Sequence, residues 1–196
     1  MNKTGTTSME ALFHALNIPV GPQRPAELLI SDYANNEFKR IIKFVRFNGV
    51  AFQDIPFSLP KTYEVLDKAF PNSKFILTIR DSDETWYNSL ISFNGKLFAN
   101  GKIPTKENLQ NAKYIYKGWM WQANRIIFKT PENDIYKKDV LIKQYNDYNN
   151  SVLEYFKNKP SKLLVVNVSQ KDAAKQICQF LGTKKRLETM PWENKT

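Results

Sequence analysis

The first residues of the chain carry the side chains best suited to binding an anion. Residues 2–8 read NKTGTTS, and a pattern typical of an amphipathic helix follows them directly. Free backbone N–H groups and the positive end of a helix dipole meet at such a turn. Gly5 allows close backbone approach, the hydroxyl groups add donors, and Lys3 adds a full charge. The segment predicts a phosphate-binding turn, with an ordinary Thr/Ser-capped helix start as the alternative.

This turn differs from the phosphate loop of ATP-hydrolysing enzymes. The motif Gly-x-x-x-x-Gly-Lys-Ser/Thr does not occur, and the lysine of this turn precedes its glycine. The position of the turn is also unusual, because phosphate-binding turns normally lie between a buried strand and a helix. Here only Met1 precedes it.

The bulk composition predicts one globular domain. The chain has 196 residues, of which 42% are hydrophobic and 13% aromatic, enough for a substantial core. Cys178 is the only cysteine, so an internal disulfide framework is excluded and a reducing compartment is favoured. We therefore predict a cytoplasmic location. No apolar run has the length of a membrane span or the character of a signal peptide.

The positive charge is concentrated in the second half of the chain. The net charge is +10; residues 1–101 carry 11 basic and 10 acidic side chains, and residues 102–196 carry 18 and 9. A basic surface attracts nucleic acid, anionic membranes, nucleotides or acidic glycans, and the sign alone does not separate these partners. Ordinary solvated lysines are the simpler interpretation.

The elements that would position the turn are those of an α/β protein. Two continuous apolar runs, 74–79 (KFILTI) and 163–168 (LLVVNV), are typical of strands buried on both faces of a parallel sheet. The shorter run 50–52 predicts a brief third strand. Apolar periodicity predicts helices, including those at 31–47, 109–128, 137–158 and 171–181. The alternation of strands and helices predicts a parallel sheet flanked by helices.

Two aromatic or titratable features have plain explanations as well as functional ones. The aromatic stretch 109–128 is expected to form a largely buried helix, and a sugar-stacking platform is the alternative. His14 is the only histidine. It falls on the polar side of the first helix, where we expect an exposed residue rather than a catalytic one.

Candidate functional residues follow the predicted strands. Asp54 comes just after the run 50–52, and Arg80 comes directly after the run 74–79. Ligands of parallel sheets bind beyond the carboxyl ends of the strands. The opening turn would lie at the same edge if a strand preceded it. Three candidates therefore converge on one edge of the sheet.

The order of these residues resembles the sulfotransferases that use 3′-phosphoadenosine 5′-phosphosulfate (PAPS). The resemblance is carried by residues 3–8 (KTGTTS), by Asp54-Ile55-Pro56, and by Arg80 followed by Ser89. The stretches FPNSKFILTIRDSDETWYNSL and PWENKT resemble a bacterial branch of that family, and the similarity runs nearly end to end. It implies a P-loop-like, three-layer α/β fold with a central parallel sheet flanked by helices. In that fold a central strand precedes the turn, so we expect the natural protein to begin upstream of Met1.

The resemblance also implies a donor site. Lys3, Thr4, Gly5, Thr6, Thr7 and Ser8 would bind the 5′-phosphosulfate, and Arg80 and Ser89 match the 3′-phosphate site of the family. Lys3 and helix-end N–H groups would stabilise the charge that develops on the leaving phosphate. No metal is expected, because this chemistry needs none and no metal-binding cluster is evident in the sequence.

The family places a histidine or carboxylate base after its second strand and before a proline, which makes Asp54 the candidate base. A useful base there needs a pKa raised by burial, and a plain turn or cap carboxylate is the alternative role. Cytosolic animal members have tryptophan where this chain has Ser8, so adenine stacking must come from another residue. Lys184, Lys185 and Arg186 lie where some relatives place a basic 3′-phosphate loop, without a clear motif match.

The leading hypothesis is therefore a sulfotransferase that acts on a hydroxyl or amine of a small metabolite or glycan. The basic second half is compatible with an anionic acceptor. One alternative is a small-molecule kinase, against which stand the missing Gly-Lys-Ser/Thr order and the lack of an obvious carboxylate for Mg²⁺. Another is a non-catalytic nucleic-acid-binding or interaction protein, although we expect no nucleic-acid partner. An inactive relative of the enzymes is a further alternative. The sequence predicts neither the acceptor nor the oligomeric state.

Overall fold

The computed structural model describes residues 1–191 and combines helices with a small parallel sheet. The two strands are β1 (Phe75–Ile79) and β2 (Leu163–Asn167). The α-helices of the described chain are α1 (Thr6–Ala15), α2 (Gln23–Glu27), α3 (Ile30–Ala34), α4 (Phe38–Phe47), α5 (Thr62–Ala69), α6 (Asp83–Phe98), α7 (Lys106–Asn111), α8 (Trp119–Ile127), α9 (Lys138–Phe156) and α10 (Ala173–Leu181). A 3₁₀ turn, Pro160–Lys162, leads into β2.

The strands β1 and β2 pair in parallel along their full length. Phe75 is opposite Leu163 and Ile79 is opposite Asn167, so both carboxyl ends lie at the same edge. Both strands coincide with predicted apolar runs, and this mixed structure with parallel pairing agrees with the predicted α/β class. The three-layer, P-loop-like arrangement stays a prediction.

The chain forms two compact units. The first contains Met1–Asp81 and the chain from Asn149 onward, and the second is Ser82–Tyr148. Within the first unit, α1 and α10 contribute to a common core with β2. Leu12 and Ile177 are fully buried in this cluster together with Val166. The start of α1 is therefore fixed relative to the carboxyl end of β2.

The second unit is helical. The side chain of Ser82 caps α6 by accepting a hydrogen bond from the backbone N–H of Thr85, and two acidic residues occupy the first turn. The ring of the fully buried Trp86 stacks on Tyr145 at a centroid distance of 4.6 Å. Aromatic packing therefore forms part of the interior of this unit.

Two predicted helices are interrupted. The predicted helix 31–47 is two helices, α3 and α4, because Asn36 adopts a left-handed conformation (φ 59°), which asparagine tolerates better than most residues. The predicted helix 109–128 is also wrong as one element. It divides into the end of α7 and α8, with Gly118 at φ 85° just before α8.

The predicted strand 50–52 is also wrong. Only Ala51 makes a bridge, a parallel one to Val20, while Val50 is 74% exposed. A run that pairs at one residue and exposes its first side chain lacks the pairing and burial that stabilise a strand. The turn before Asp54 nevertheless brings this carboxylate to the start of α1.

The sequence contains no apolar run long enough to predict a membrane span. Among residues 1–191, no helix combines the length and the apolar character needed to cross a bilayer. Of the terminal stretch PWENKT, residues 192–196 lie outside the described part of the chain.

Candidate active site

The opening turn is attached to β1 by a buried threonine. The Thr4 hydroxyl donates to the carbonyl oxygen of Met1 at 2.8 Å and lies 2.6 Å from the hydroxyl of Thr78. Because the single hydroxyl proton of Thr4 is used at Met1, Thr78 is the donor in the second contact. Thr4 is fully buried, so its side chain fixes the turn to the sheet rather than facing a ligand.

Gly5 brings the turn against the end of β2. Its φ is 98°, and a Cβ atom built there would lie 2.2 Å from Cγ2 of Val168. Both features require glycine. Gly5 is also the N-cap residue of α1; it forms no side-chain cap, and no acidic residue follows in the first turn. The intrahelical hydrogen bonds begin with the N–H of Met9, which donates to the Gly5 carbonyl. The N–H groups of the first turn thus keep the polarity that favours an anion.

Arg80 attaches the turn to the carboxyl end of β1. Its Nε donates to the carbonyl oxygen of Lys3 at 2.8 Å. Burial lowers the pKa of Lys3 to about 8; the nearby Arg80 lowers it as well, and Asp54 acts in the opposite direction. Two cationic side chains are therefore held close together at one edge of the sheet. Positive charge concentrated in this way suits a ligand with several negative charges.

Asp54 is held against the first turn of α1. The Thr6 hydroxyl donates to Oδ2 of Asp54 at 3.1 Å. The other oxygen, Oδ1, is buried and has no hydrogen-bond partner among residues 1–191. Burial raises the pKa of Asp54, although the Thr6 hydrogen bond and the charge of Lys3 oppose this shift. A buried carboxylate with a raised pKa and an unpartnered oxygen can accept a proton from a substrate.

The end of β2 completes the edge. Nδ2 of Asn167 donates to Oδ1 of Asp81 at 2.6 Å, and Oδ1 of Asn167 accepts from the backbone N–H and the hydroxyl of Ser169. Asn167 is buried. These hydrogen bonds connect the residues that follow β1 and β2.

The family match is consistent with this geometry. A family model described as “Sulfotransferase domain” matches residues 1–196. The chain belongs to the sulfotransferase family. A search of curated proteins found no match for this sulfotransferase.

The structure brings several of the predicted site residues of the sulfotransferase together. Lys3, Asp54 and Arg80 come together around the start of α1. Thr7 is exposed on the first turn, and Ser8 is buried. Ser89 lies on α6 in the second unit and is half-buried.

The basic segment near the end of the chain is exposed. Lys184, Lys185 and Arg186 are all on the surface, and Nζ of Lys185 donates to the carbonyl oxygen of Ala15 at 2.6 Å. This contact joins the segment to the last turn of α1, whereas the opening turn lies at the opposite end of that helix. The role of this segment in binding a 3′-phosphate stays a prediction.

Sequence reasoning did not select Thr78, Asn167 and Val168. The first two carried a usable signal, because each is the polar residue near the end of an otherwise apolar run. A buried polar side chain at the carboxyl end of a parallel strand needs a partner, and here both partners lie in or next to the site. Val168 carried no such signal, since its part is to pack against Gly5.

Proposed function

We propose that this sulfotransferase moves a sulfuryl group from PAPS to a hydroxyl or amine of a small metabolite or glycan. The observation that carries the proposal is the meeting of Lys3, Arg80 and the buried carboxylate of Asp54 at the uncapped start of α1. A cationic, N–H-rich turn suits the anionic donor, and an unpartnered carboxylate oxygen suits an acceptor that loses a proton.

The residues of the turn divide into ligand-facing and supporting roles. The positive charge of Lys3 and the backbone N–H groups of Gly5, Thr6, Thr7 and Ser8 would bind the 5′-phosphosulfate. Thr4 serves through the backbone, since its hydroxyl is used within the fold. The donor supplies an activated sulfuryl group whose leaving group is a phosphate. Lys3 would neutralise the charge that develops there.

Arg80 and Ser89 are proposed to bind the 3′-phosphate, the group that distinguishes this donor from ATP. A guanidinium group binds phosphate oxygens through two N–H groups at once, and a serine hydroxyl adds one donor. Arg80 already positions the turn through its Nε atom. One residue would thus connect the two ends of the donor site.

Asp54 is proposed as the base. Burial raises its pKa and so increases its affinity for a proton, as a general base requires. Thr6 fixes one carboxylate oxygen, so the other is oriented toward its proton donor. The cytoplasmic location, the anionic acceptor and the independence from metal stay predictions. In residues 1–191, no group of three or more His, Cys, Asp or Glu side chains is arranged to hold a metal ion.

Calorimetry with adenosine 3′,5′-bisphosphate, compared with ATP, tests the proposal. The bisphosphate should bind more tightly than ATP to the unaltered protein. Lys3→Ala and Arg80→Ala should each weaken bisphosphate binding about ten-fold or more, the effect of losing one charge-assisted hydrogen bond. Lys39→Ala, which alters an exposed lysine of α4, is the control and should leave binding unchanged. Equal or tighter binding of ATP would contradict the donor assignment and favour a kinase.

A further inference from the structure

Gln53, the residue before the proposed base, has a side-chain amide whose nitrogen is hydrogen-bonded and whose oxygen is not. Nε2 of Gln53 donates to Oε2 of Glu10 at 2.8 Å, while Oε1 of Gln53 is buried without a hydrogen-bond partner among residues 1–191. An ionised carboxylate only accepts hydrogen bonds, so Glu10 determines which end of the amide faces it. The buried hydroxyls of Ser58 and Thr62 also lack partners, but a hydroxyl can rotate to find one. The oxygen of Gln53 has no such freedom.

Gln53 and Asp54 are held by the same face of α1. Thr6 donates to Asp54, and Glu10 accepts from Gln53. Residues four apart on a helix are surface neighbours about one turn from each other. Two consecutive residues thus present unpartnered oxygens while their other polar atoms are fixed to adjacent positions of one helix.

A ligand that donates twice would satisfy both of these buried acceptor oxygens. Leaving a buried polar atom unpaired is costly, and sites built to bind a substrate O–H or N–H discriminate strongly against analogues that lack it. A simple alcohol offers one proton, and that proton goes to Asp54. The oxygen of Gln53 would then remain unsatisfied. A second donor close to the reacting hydroxyl satisfies both oxygens.

We infer that Gln53 determines acceptor specificity by accepting a hydrogen bond from a second O–H or N–H group next to the reacting hydroxyl. This inference rests on the proposed function and narrows its acceptor class to polyols and amino alcohols. In the transfer, the acceptor oxygen forms a bond to sulfur as the bond from sulfur to the leaving phosphate oxygen breaks. The proton of the reacting hydroxyl passes to Asp54, and the group that donates to Gln53 keeps its proton.

Glu10 is the positioning residue for this contact. Its Oε1 atom lies 3.8 Å from Nε2 of His14, whose side chain is 63% exposed. The exposed histidine therefore contributes little to the orientation of Glu10. Removing the Glu10 carboxylate would release the amide of Gln53, whereas Glu10→Gln would keep an acceptor for its N–H group.

A matched pair of small acceptors tests the inference. cis-1,2-Cyclohexanediol and cyclohexanol differ by one hydroxyl group. Saturation-transfer NMR, with and without adenosine 3′,5′-bisphosphate, measures their binding, and sulfate transfer from PAPS measures their kcat/KM. We expect the diol to be preferred by about ten-fold or more, the worth of one buried hydrogen bond left unmade. Gln53→Met, similar in length but without a fixed acceptor oxygen, should remove this preference while bisphosphate binding stays unchanged.

The controls separate this inference from the proposed function. Glu10→Ala should reduce the preference, Glu10→Gln should retain most of it, and His14→Ala should leave it intact. Equal binding and equal kcat/KM of diol and alcohol, or a preference that survives in Gln53→Met, would overturn the inference, as would no detectable binding of the diol. Failure of the bisphosphate to bind would instead overturn the donor assignment. The NMR comparison of diol and alcohol without bisphosphate would still test the role of Gln53 in acceptor binding.

Discussion

Lys3 is the residue whose charge depends most directly on its surroundings. Burial lowers its pKa to about 8, so the free protein loses this charge as the pH rises through that value. A bound bisphosphate brings negative charge and should raise the pKa again. We predict that binding takes up close to one proton at about pH 9 and almost none at about pH 7, and that affinity falls as the pH rises above about 8. Calorimetry in buffers of different ionisation enthalpy measures this uptake.

The control for this prediction is Lys3→Arg, which keeps the positive charge but does not lose its proton in this pH range. Lys3→Arg carries a guanidinium group that remains protonated throughout this range. Its bisphosphate binding should show no proton uptake at either pH. The same uptake in Lys3→Arg and in the unaltered protein would assign the proton to another group.

Asp54 supports a second prediction at the level of a single residue. In Asp54→Asn the amide oxygen still accepts from Thr6, but the side chain no longer takes a proton. We expect kcat to fall about 10²- to 10⁴-fold, the range for losing a general base, with little change in bisphosphate affinity. Asp32→Asn is the matched control. Asp32 is also buried, and its Oδ1 accepts a hydrogen bond from Arg40 at 2.9 Å in a different part of the first unit. A similar loss of kcat in both variants would refute the special role of Asp54.

In the unaltered enzyme, the proposed base should also set the acid limb of the pH–rate profile. Burial raises the pKa of Asp54, and the charge of Glu10 adds to this effect; the Thr6 hydrogen bond, the amino group of Met1 and Lys3 oppose it. A protonated carboxyl cannot act as a base. The rate should therefore decline toward low pH, beginning above the usual range of an aspartate, and this decline should be absent from the residual activity of Asp54→Asn.

At the scale of elements, the contact between the start of α1 and the end of β2 is the decisive one. Gly5→Ala would place a methyl group in contact with Val168 and would force alanine to φ 98°. Gly182→Ala, at φ 72°, meets no atom within 4 Å and is the matched control for the backbone cost alone. That cost is about 1–2 kcal/mol. We predict a larger loss of unfolding free energy in urea for Gly5→Ala, and weaker bisphosphate binding in that variant alone.

A double substitution tests whether the additional loss of unfolding free energy in Gly5→Ala comes from packing against Val168. Val168→Ala removes the Cγ2 atom that the new methyl group would meet, so Gly5→Ala should cost less stability in the Val168→Ala background than in the unaltered protein. Equal destabilisation by Gly5→Ala and Gly182→Ala would show that the contact is easily relieved and that the backbone conformation is the whole effect.

The elements with the strongest sequence signal were predictable, and those set by local backbone geometry were not. The runs that form β1 and β2 are rich in β-branched residues and continuously apolar, so burial alone specifies them. The breaks at Asn36 and Gly118 depend on single residues with positive φ inside otherwise helical patterns. The exposure of Val50 depends on which chain segments reach it, and an isolated apolar run does not encode this.

The proximity of three candidate residues was predictable from the sequence, but the tertiary contacts that hold them were not. The types and order of Lys3, Asp54 and Arg80 pointed to one sheet edge, and the structure brings them together. Thr4 faces the sheet because it contacts Thr78, which is 74 positions away in the sequence. Gln53 is fixed by Glu10, which is 43 positions away. No local periodicity reports such contacts.

At the scale of the whole molecule, residues distant in sequence are joined next to the start of β2, whereas the candidate site lies at the end of that strand. Asp67 of α5 accepts hydrogen bonds from Nζ of Lys159 at 2.7 Å, from the Tyr155 hydroxyl at 3.0 Å and from Lys162. Asp67 is buried. Burial alone would raise its pKa, but its three hydrogen-bond donors outweigh burial and hold the pKa below the usual value. This cluster joins Asp67 of α5, the helix before β1, to residues 155–162, which directly precede β2.

Asp67→Asn should destabilise the protein without altering its site. The folded state lowers the pKa of Asp67, so its contribution to stability is complete above the unfolded value of about 4 and is lost as the pH falls through the folded value. We expect a loss of about 2 kcal/mol in unfolding free energy at neutral pH, the worth of a charge-assisted hydrogen-bond cluster at the edge of solvent. Urea unfolding at pH 7 and at about pH 2 measures it. The difference from the unaltered protein should shrink toward the lower pH, as the Asp67 carboxylate takes up a proton, and bisphosphate affinity at pH 7 should be the same in both proteins. A difference that persists in acid would place the effect in packing rather than charge.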